Sequence, residues 1–127
     1  MKPDFSGEFV LDRPACTLSP GADGITSAIV RIDHREPVFR YAASFVAGAK
    51  TMAYSFELMA DGPEASIAGD DVSRLYWEGD ALVTEQRDPN MTMSWRYELI
   101  DDGRRLRATE RIRGSHSQDN VWEFARR

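Results

Sequence analysis

The chain has 127 residues, one cysteine, 42% hydrophobic and 29% charged residues, a size and balance that fit one soluble domain able to bury its own core without disulfides or a structural metal. Sixteen Lys and Arg against 21 Asp and Glu leave a net charge of −5, which disfavours a nucleic-acid or anionic-membrane partner for the surface as a whole. No apolar run approaches the roughly 18 residues that a membrane span requires.

Turn signals recur roughly every 10 to 12 residues, and short β-rich runs fill the gaps, the pattern of an antiparallel barrel or sandwich. Residues 5–12 open the chain as a strand. From 13 to 24, Pro14, Pro20, Gly21 and Gly24 support a loop with at most one helical turn. A strand over 25–33 is closed by a turn at 34–37, because Pro37 has no N–H for a ladder and restricts Glu36 before it. Residues 38–46 follow. After Gly48, residues 52–60 alternate Met52, Tyr54, Phe56 and Leu58 with Ala53, Ser55 and Glu57, a period of two that argues strand. Asp61, Gly62 and Pro63 end it.

Runs at 64–68, 72–77 and 81–87 are separated by the turn-like Gly69-Asp70-Asp71 and Glu78-Gly79-Asp80. After Asp88, Pro89 and Asn90, residues 91–100 place Met91, Met93, Trp95, Tyr97 and Leu99 on one face and Thr92, Ser94, Arg96 and Glu98 on the other. Asp101-Asp102-Gly103 is a hairpin signal, since Asp-Gly readily supplies positive φ angles. Its partner strand covers 104–113, and a last strand covers 120–125. About ten strands with no helix to cover an open sheet predict an all-β fold, a single antiparallel up-and-down barrel of about 8–10 strands over residues 1–127. A Greek-key sandwich would need long crossovers, and only 13–24 offers one.

Three stretches carry a resemblance. Phe5-Ser6-Gly7-Glu8-Phe9-Val10-Leu11-Asp12 resembles the first-strand signature of the calycin superfamily, Gly-x-Trp, with Phe9 in the tryptophan's place. Trp77-Glu78-Gly79-Asp80-Ala81-Leu82-Val83 and Tyr97-Glu98-Leu99-Ile100-Asp101-Asp102-Gly103 look like hairpins of small bacterial lipocalin-like proteins. The resemblance implies a lipocalin-like or fatty-acid-binding-protein-like barrel with a small ligand inside. Two family features have no counterpart here. The segment 13–24 is too short and too rich in Pro and Gly for the two lid helices of fatty-acid-binding proteins, and the last strand carries Trp122, Phe124 and Arg126 in place of their carboxylate-holding Arg-x-Tyr pair. Heme-binding calycins with a histidine ligand near the C-terminus would have only His116 to offer, in the turn-like Gly114-Ser115-His116-Ser117.

On such a frame the candidate ligand-binding residues are Phe39, Tyr41, Tyr54, Phe56, Trp77, Met93, Trp95 and Tyr97. Small-molecule cavities are lined by apolar and aromatic groups with a few polar ones, and tyrosine provides both. Methionine adds adaptable lining. Each of these residues also suits ordinary core packing. Alternation directs Met91, Met93, Trp95, Tyr97 and Leu99 inward, with Tyr54, Phe56 and Leu58, with Phe39, Tyr41 and Phe45, and with Leu75 and Trp77. Phe5, Phe9 and Leu11 should plug one end.

From Arg104 onward seven Arg stand against Glu110, Asp119 and Glu123, so the C-terminal end is basic. Arg105, Arg107, Arg111 and Arg113 share one face opposite Leu106, Ala108 and Ile112, a face expected in solvent. His34 and His116 fall in predicted turns without metal-ligand spacing. Cys16 has no nearby base, and the pairs Asp70-Asp71 and Asp101-Asp102 suit turns. No catalytic residue, cofactor or metal is expected. The function expected is binding of a small hydrophobic or amphipathic ligand, with two alternatives: a calycin-like isomerase or cyclase, marked by an inward-facing ionisable pair, or a solidly packed interaction module. As written the protein reads as cytoplasmic, or as exported if Met1 replaces a removed signal peptide.

Overall fold

Antiparallel pairing of sequence neighbours builds almost everything in the computed structural model, which describes residues 2–65 and 71–127. Among the described residues the elements are β1 (Gly7–Leu11), a 3-10 turn (Arg13–Ala15), β2 (Ser27–Arg35), β3 (Val38–Ala47), β4 (Lys50–Met59), β5 (Val72–Glu78), β6 (Ala81–Arg87), β7 (Thr92–Ile100), β8 (Arg105–Arg113) and β9 (Gln118–Arg126). The nine strands form one sheet in the order β4-β3-β2-β1-β9-β8-β7-β6-β5. First and last strands therefore lie side by side, with Phe9 opposite Arg126 and Leu11 opposite Phe124. The two sheet edges are β4 and β5, and the sheet curls until they face each other. Isolated bridges at Ala60–Leu75 and Ala65–Ser73 close part of that seam, and the Asp61 N–H donates to the Leu75 carbonyl at 2.8 Å. The result is a nearly closed up-and-down barrel, open along the seam where, among the described residues, β4 pairs only with β3 and keeps a free edge.

The strand count differs from the ten expected. Of the run expected at 64–68, Ala65 makes only its isolated bridge; residues 66–68, with Gly69 and Asp70 of the turn beyond, lie outside the described residues. The hairpin at Asp101-Asp102-Gly103 takes three successive positive φ angles of 52°, 54° and 82°, a conformation Asp tolerates and Gly adopts freely.

Inward positions stack in tiers. At one end Phe5, wholly buried, sits 5.8 Å from the His34 ring, 6.4 Å from Phe39 and 6.1 Å from Trp77. Phe5 precedes β1 instead of starting it. Gly7, at φ +147°, bends the chain, and a Cβ there would collide with the Arg126 guanidinium. Ser6 extends the pairing by side chain, its hydroxyl accepting from the His34 N–H at 2.8 Å and donating to the His34 carbonyl at 3.0 Å. His34 thus belongs to β2 and faces inward, 5% exposed, where sequence places it in a turn. The reason is a tighter connection: Arg35 still pairs with Val38, so the turn is confined to Glu36 and Pro37. His34 Nδ1 accepts the Phe5 N–H at 3.1 Å.

The outer face is charged. Arg105 pairs with Asp12 at 2.9 Å and Glu123 at 3.3 Å, Arg107 with Glu123 at 3.5 Å and Arg113 with Asp119 at 2.9 Å. The arginine-rich face of β8 is therefore outside, matched by acids of its neighbours. No helix among the described residues is long and apolar enough to cross a membrane.

Candidate ligand-binding cavity

A cavity of about 440 Å³ lies between β4 on one side and β5 to β8 on the other. Its volume falls within the roughly 300–1,000 Å³ of small-molecule sites. The wall follows from strand alternation. Successive inward residues of β4 supply Tyr54, Phe56 and Leu58, those of β7 supply Met93, Trp95 and Tyr97, and those of β6 supply Thr84 and Gln86. Ser73 of β5 and Glu110 of β8 complete the polar part of the lining.

The eight residues singled out in the sequence divide in two. Tyr54, Phe56, Met93, Trp95 and Tyr97 line the cavity. Phe39 and Tyr41 lie behind its wall: Tyr41 is 3% exposed and stacks on Phe56 at 5.0 Å, and Phe39 is wholly buried and stacks on Tyr41 at 6.4 Å. Trp77 belongs to the plugged end, 5.8 Å from the His34 ring, with the Lys2 ammonium 4.9 Å above its own ring. Its inward parity is as expected, but it stands at the bottom of β5, next to Phe5 and away from the chamber. Met91 precedes β7 and is 37% exposed, so the inward set on that strand starts at Met93. Above the chamber Trp95 stacks on Trp122 at 6.1 Å, and Trp122 meets Phe45 edge-on at 5.4 Å.

The hydroxyls of Tyr41, Tyr54 and Tyr97 face one another, and that of Tyr97 also faces Thr84. Burial pushes the Tyr41 and Tyr97 phenols well above their ordinary range and that of Tyr54 up to about 12, because a phenolate loses hydration in a low-dielectric interior. They act as neutral hydrogen-bonding groups at physiological pH. Tyr54, 42% exposed, carries its hydroxyl inward while part of its ring meets solvent.

Glu110 is a charged residue of the cavity lining that sequence reasoning missed. It shares the inward face of β8 with Leu106 and Ala108, is 7% exposed, and lies opposite Trp95 on β7 and Asn120 on β9. Its Oε1 accepts the Asn120 Nδ2–H at 2.8 Å and the Trp122 Nε1–H at 3.2 Å. Both bonds end on the same oxygen, which leaves Oε2 without a donor among the described residues. Burial raises the Glu110 carboxyl, against the lowering effect of those two donors. Asn120, 1% exposed, is held in turn by the loop after β1, its Oδ1 accepting the Ser19 N–H at 2.6 Å. The signal was present: Glu110 is the lone charged residue on a face otherwise made of Leu106, Ala108 and Ile112, and a charge on an apolar face is more informative than the face's average.

Ser73 is 3% exposed, and its hydroxyl has no hydrogen-bond partner among the described residues. Among the described residues no Lys, Arg or His lines the cavity, and no group of three His, Cys, Asp or Glu is placed to hold a metal. Cys16 lies in the loop, its sulfur accepting the Glu123 N–H at 3.4 Å, and burial pushes its thiol up, the reverse of what an activated nucleophile needs.

No family model and no curated protein matches the chain. Solved structures do. The chain is similar to the REP1-NXSQ fatty acid transporter (TM-score 0.67, 14% identity, covering 96% of this chain and 95% of that one). It is also similar to the fatty acid binding protein of Schistosoma mansoni in complex with arachidonic acid (0.66, 15%, 97% and 96%) and to the zebrafish ileal bile acid-binding protein complexed with cholic acid (0.62, 14%, 97% and 98%). At such identities the likeness is one of fold, an antiparallel β-barrel like those of the fatty-acid- and bile-acid-binding proteins.

Proposed function

We propose that this protein binds a small hydrophobic or amphipathic molecule, without covalent chemistry, in the chamber between β4 and β5–β8. The observation that carries the reading is the chamber itself. About 440 Å³, partly open to solvent at the seam between β4 and β5, lies beside Trp95, Tyr97 and Phe56. A cleft lined by aromatic rings in this way gains dispersion contacts and sheds poorly bonded water when an apolar body enters it. Support also comes from the barrels of the same form whose names give fatty acid, arachidonic acid and cholic acid as cargo or bound molecule. The loop after β1 holds a single 3-10 turn, so entry does not depend on a two-helix lid there.

The test is titration with an apolar fluorescent probe of the wild type and of Trp95→Ala. Trp95 forms chamber wall, and among the described residues its aromatic neighbours are Tyr97 and Trp122. Its truncation should weaken probe binding by at least about tenfold while the far-UV spectrum keeps its strand signature. Unchanged affinity in a folded variant removes Trp95 from the site and the chamber from the function.

A further inference from the structure

Polar groups in a ligand chamber report on the polar end of the ligand, because each buried donor or acceptor left unpaired carries a cost that the right ligand removes. Here one of the buried ones is a carboxyl, that of Glu110. Glu110 lines the cavity with one oxygen occupied by Asn120 and Trp122 at 2.8 and 3.2 Å and the other without a donor among the described residues. The Ser73 hydroxyl, equally buried, has no partner among the described residues. Glu85, at the rim, is already paired outside with Arg74 at 2.8 Å. No cationic side chain among the described residues lines the chamber to receive an anionic head group. The aromatic faces of Trp95 and Tyr97 complete a surface attractive to positive charge, through the negative face of the ring quadrupole.

We infer that the ligand of this chamber is a lipophilic amine, an apolar body with a protonated nitrogen that pairs with Oε2 of Glu110. The inference rests on the proposed binding function and narrows it to a class. A simple alkylamine is protonated at neutral pH, as a lysine side chain is, and its ammonium supplies the donors that Oε2 lacks. It also brings the charge that makes an ionised carboxylate tolerable at this depth. A carboxylate ligand would bring a second negative charge beside Glu110, which like-charge repulsion disfavours unless a proton is taken up. Among the described residues the titratable groups facing Glu110 are the phenols of Tyr54 and Tyr97, neutral at the pH of the experiment, and the other carboxylate of the lining, Glu85, is already paired with Arg74, which leaves Glu110 to answer the cation.

The experiment is displacement of a bound apolar fluorescent probe at pH 7 by decylamine, 1-decanol and decanoate, in the wild type and in Glu110→Gln. The three share one alkyl body, so differences report the head group. Decylamine should displace the probe at concentrations at least about tenfold lower than 1-decanol, with decanoate weakest. Glu110→Gln, which keeps an acceptor for Asn120 and Trp122, should bring decylamine to within about threefold of 1-decanol. Decanoate or 1-decanol matching decylamine in the wild type overturns the inference with no reliance on the variant, as does an undiminished preference in Glu110→Gln. Failure of the probe and all three compounds to bind is a different result: it overturns the proposed binding function and the inference with it.

Discussion

Replacing Phe5 by Ala tests the claim that a residue outside the strands closes the barrel. Phe5 is wholly buried and meets His34, Phe39 and Trp77 with ring centroids 5.8, 6.4 and 6.1 Å away. Burying a phenylalanine removes about 150–250 Å² from water; at about 25 cal/mol per Å² the aromatic part is worth roughly 4 kcal/mol. The same range, about 3–5 kcal/mol, is typical of Phe→Ala in cores that do not collapse around the gap. With 127 residues and about 2.1 cal/mol/K of unfolding entropy per residue, a loss of about 4 kcal/mol lowers the melting temperature by roughly 15 °C. Thermal unfolding followed by far-UV circular dichroism reads this, with Phe5→Leu as a milder control expected to lie between wild type and Ala. A shift below about 3 °C for Phe5→Ala would show that the segment before β1 does not plug the barrel.

Two further perturbations address the buried polar cluster. Since burial raises the Glu110 carboxyl in the folded state, that state holds its proton to higher pH than the unfolded chain does. The stabilising contribution is complete below the unfolded value and lost as pH rises through the folded one. Glu110→Gln, which has no such proton, should therefore gain stability relative to wild type as pH rises above the ordinary carboxyl value of about 4.3; a difference in urea midpoint that is flat or falls as pH rises contradicts the assignment. Asn120→Ala strands the Ser19 N–H and removes one of the two donors on Glu110, at an expected cost of about 2–4 kcal/mol in urea unfolding. A cost under about 0.5 kcal/mol would mean that the pair does not tie the loop to the barrel.

Much of this architecture is legible in local pattern. Alternation in Met93, Trp95 and Tyr97 and in Tyr54, Phe56 and Leu58 directs those residues inward, because a half-buried strand must segregate its faces by polarity. The structure also runs its first and last strands side by side. What local pattern does not carry is height along the barrel. Trp77 and Trp95 have the same parity, yet one meets Phe5 at the plug and the other lines the chamber; that separation depends on strand stagger, a property of the closed sheet. The place of the seam, between β4 and β5, is likewise set by closure. Glu110 escapes notice for another reason: weighing a whole face by its average polarity hides the one charged residue on it, which here holds Asn120 and Trp122 together. His34 is missed because Pro37 breaks the ladder only at its own N–H, which leaves Arg35 free to pair with Val38.

The central claim, that the chamber is the binding site, is tested most directly by titrating isotope-labelled protein with 1-decanol and following backbone amide shifts. Saturable changes are predicted at Phe56, Ser73, Thr84, Trp95 and Glu110, which surround the chamber, with Phe5 and His34 at the plugged end little affected. Saturable shifts centred instead on the outer face at Ile29, Ala42 and Ala53, where the barrel surface is shallowly concave, or no saturable shift at all, would contradict it.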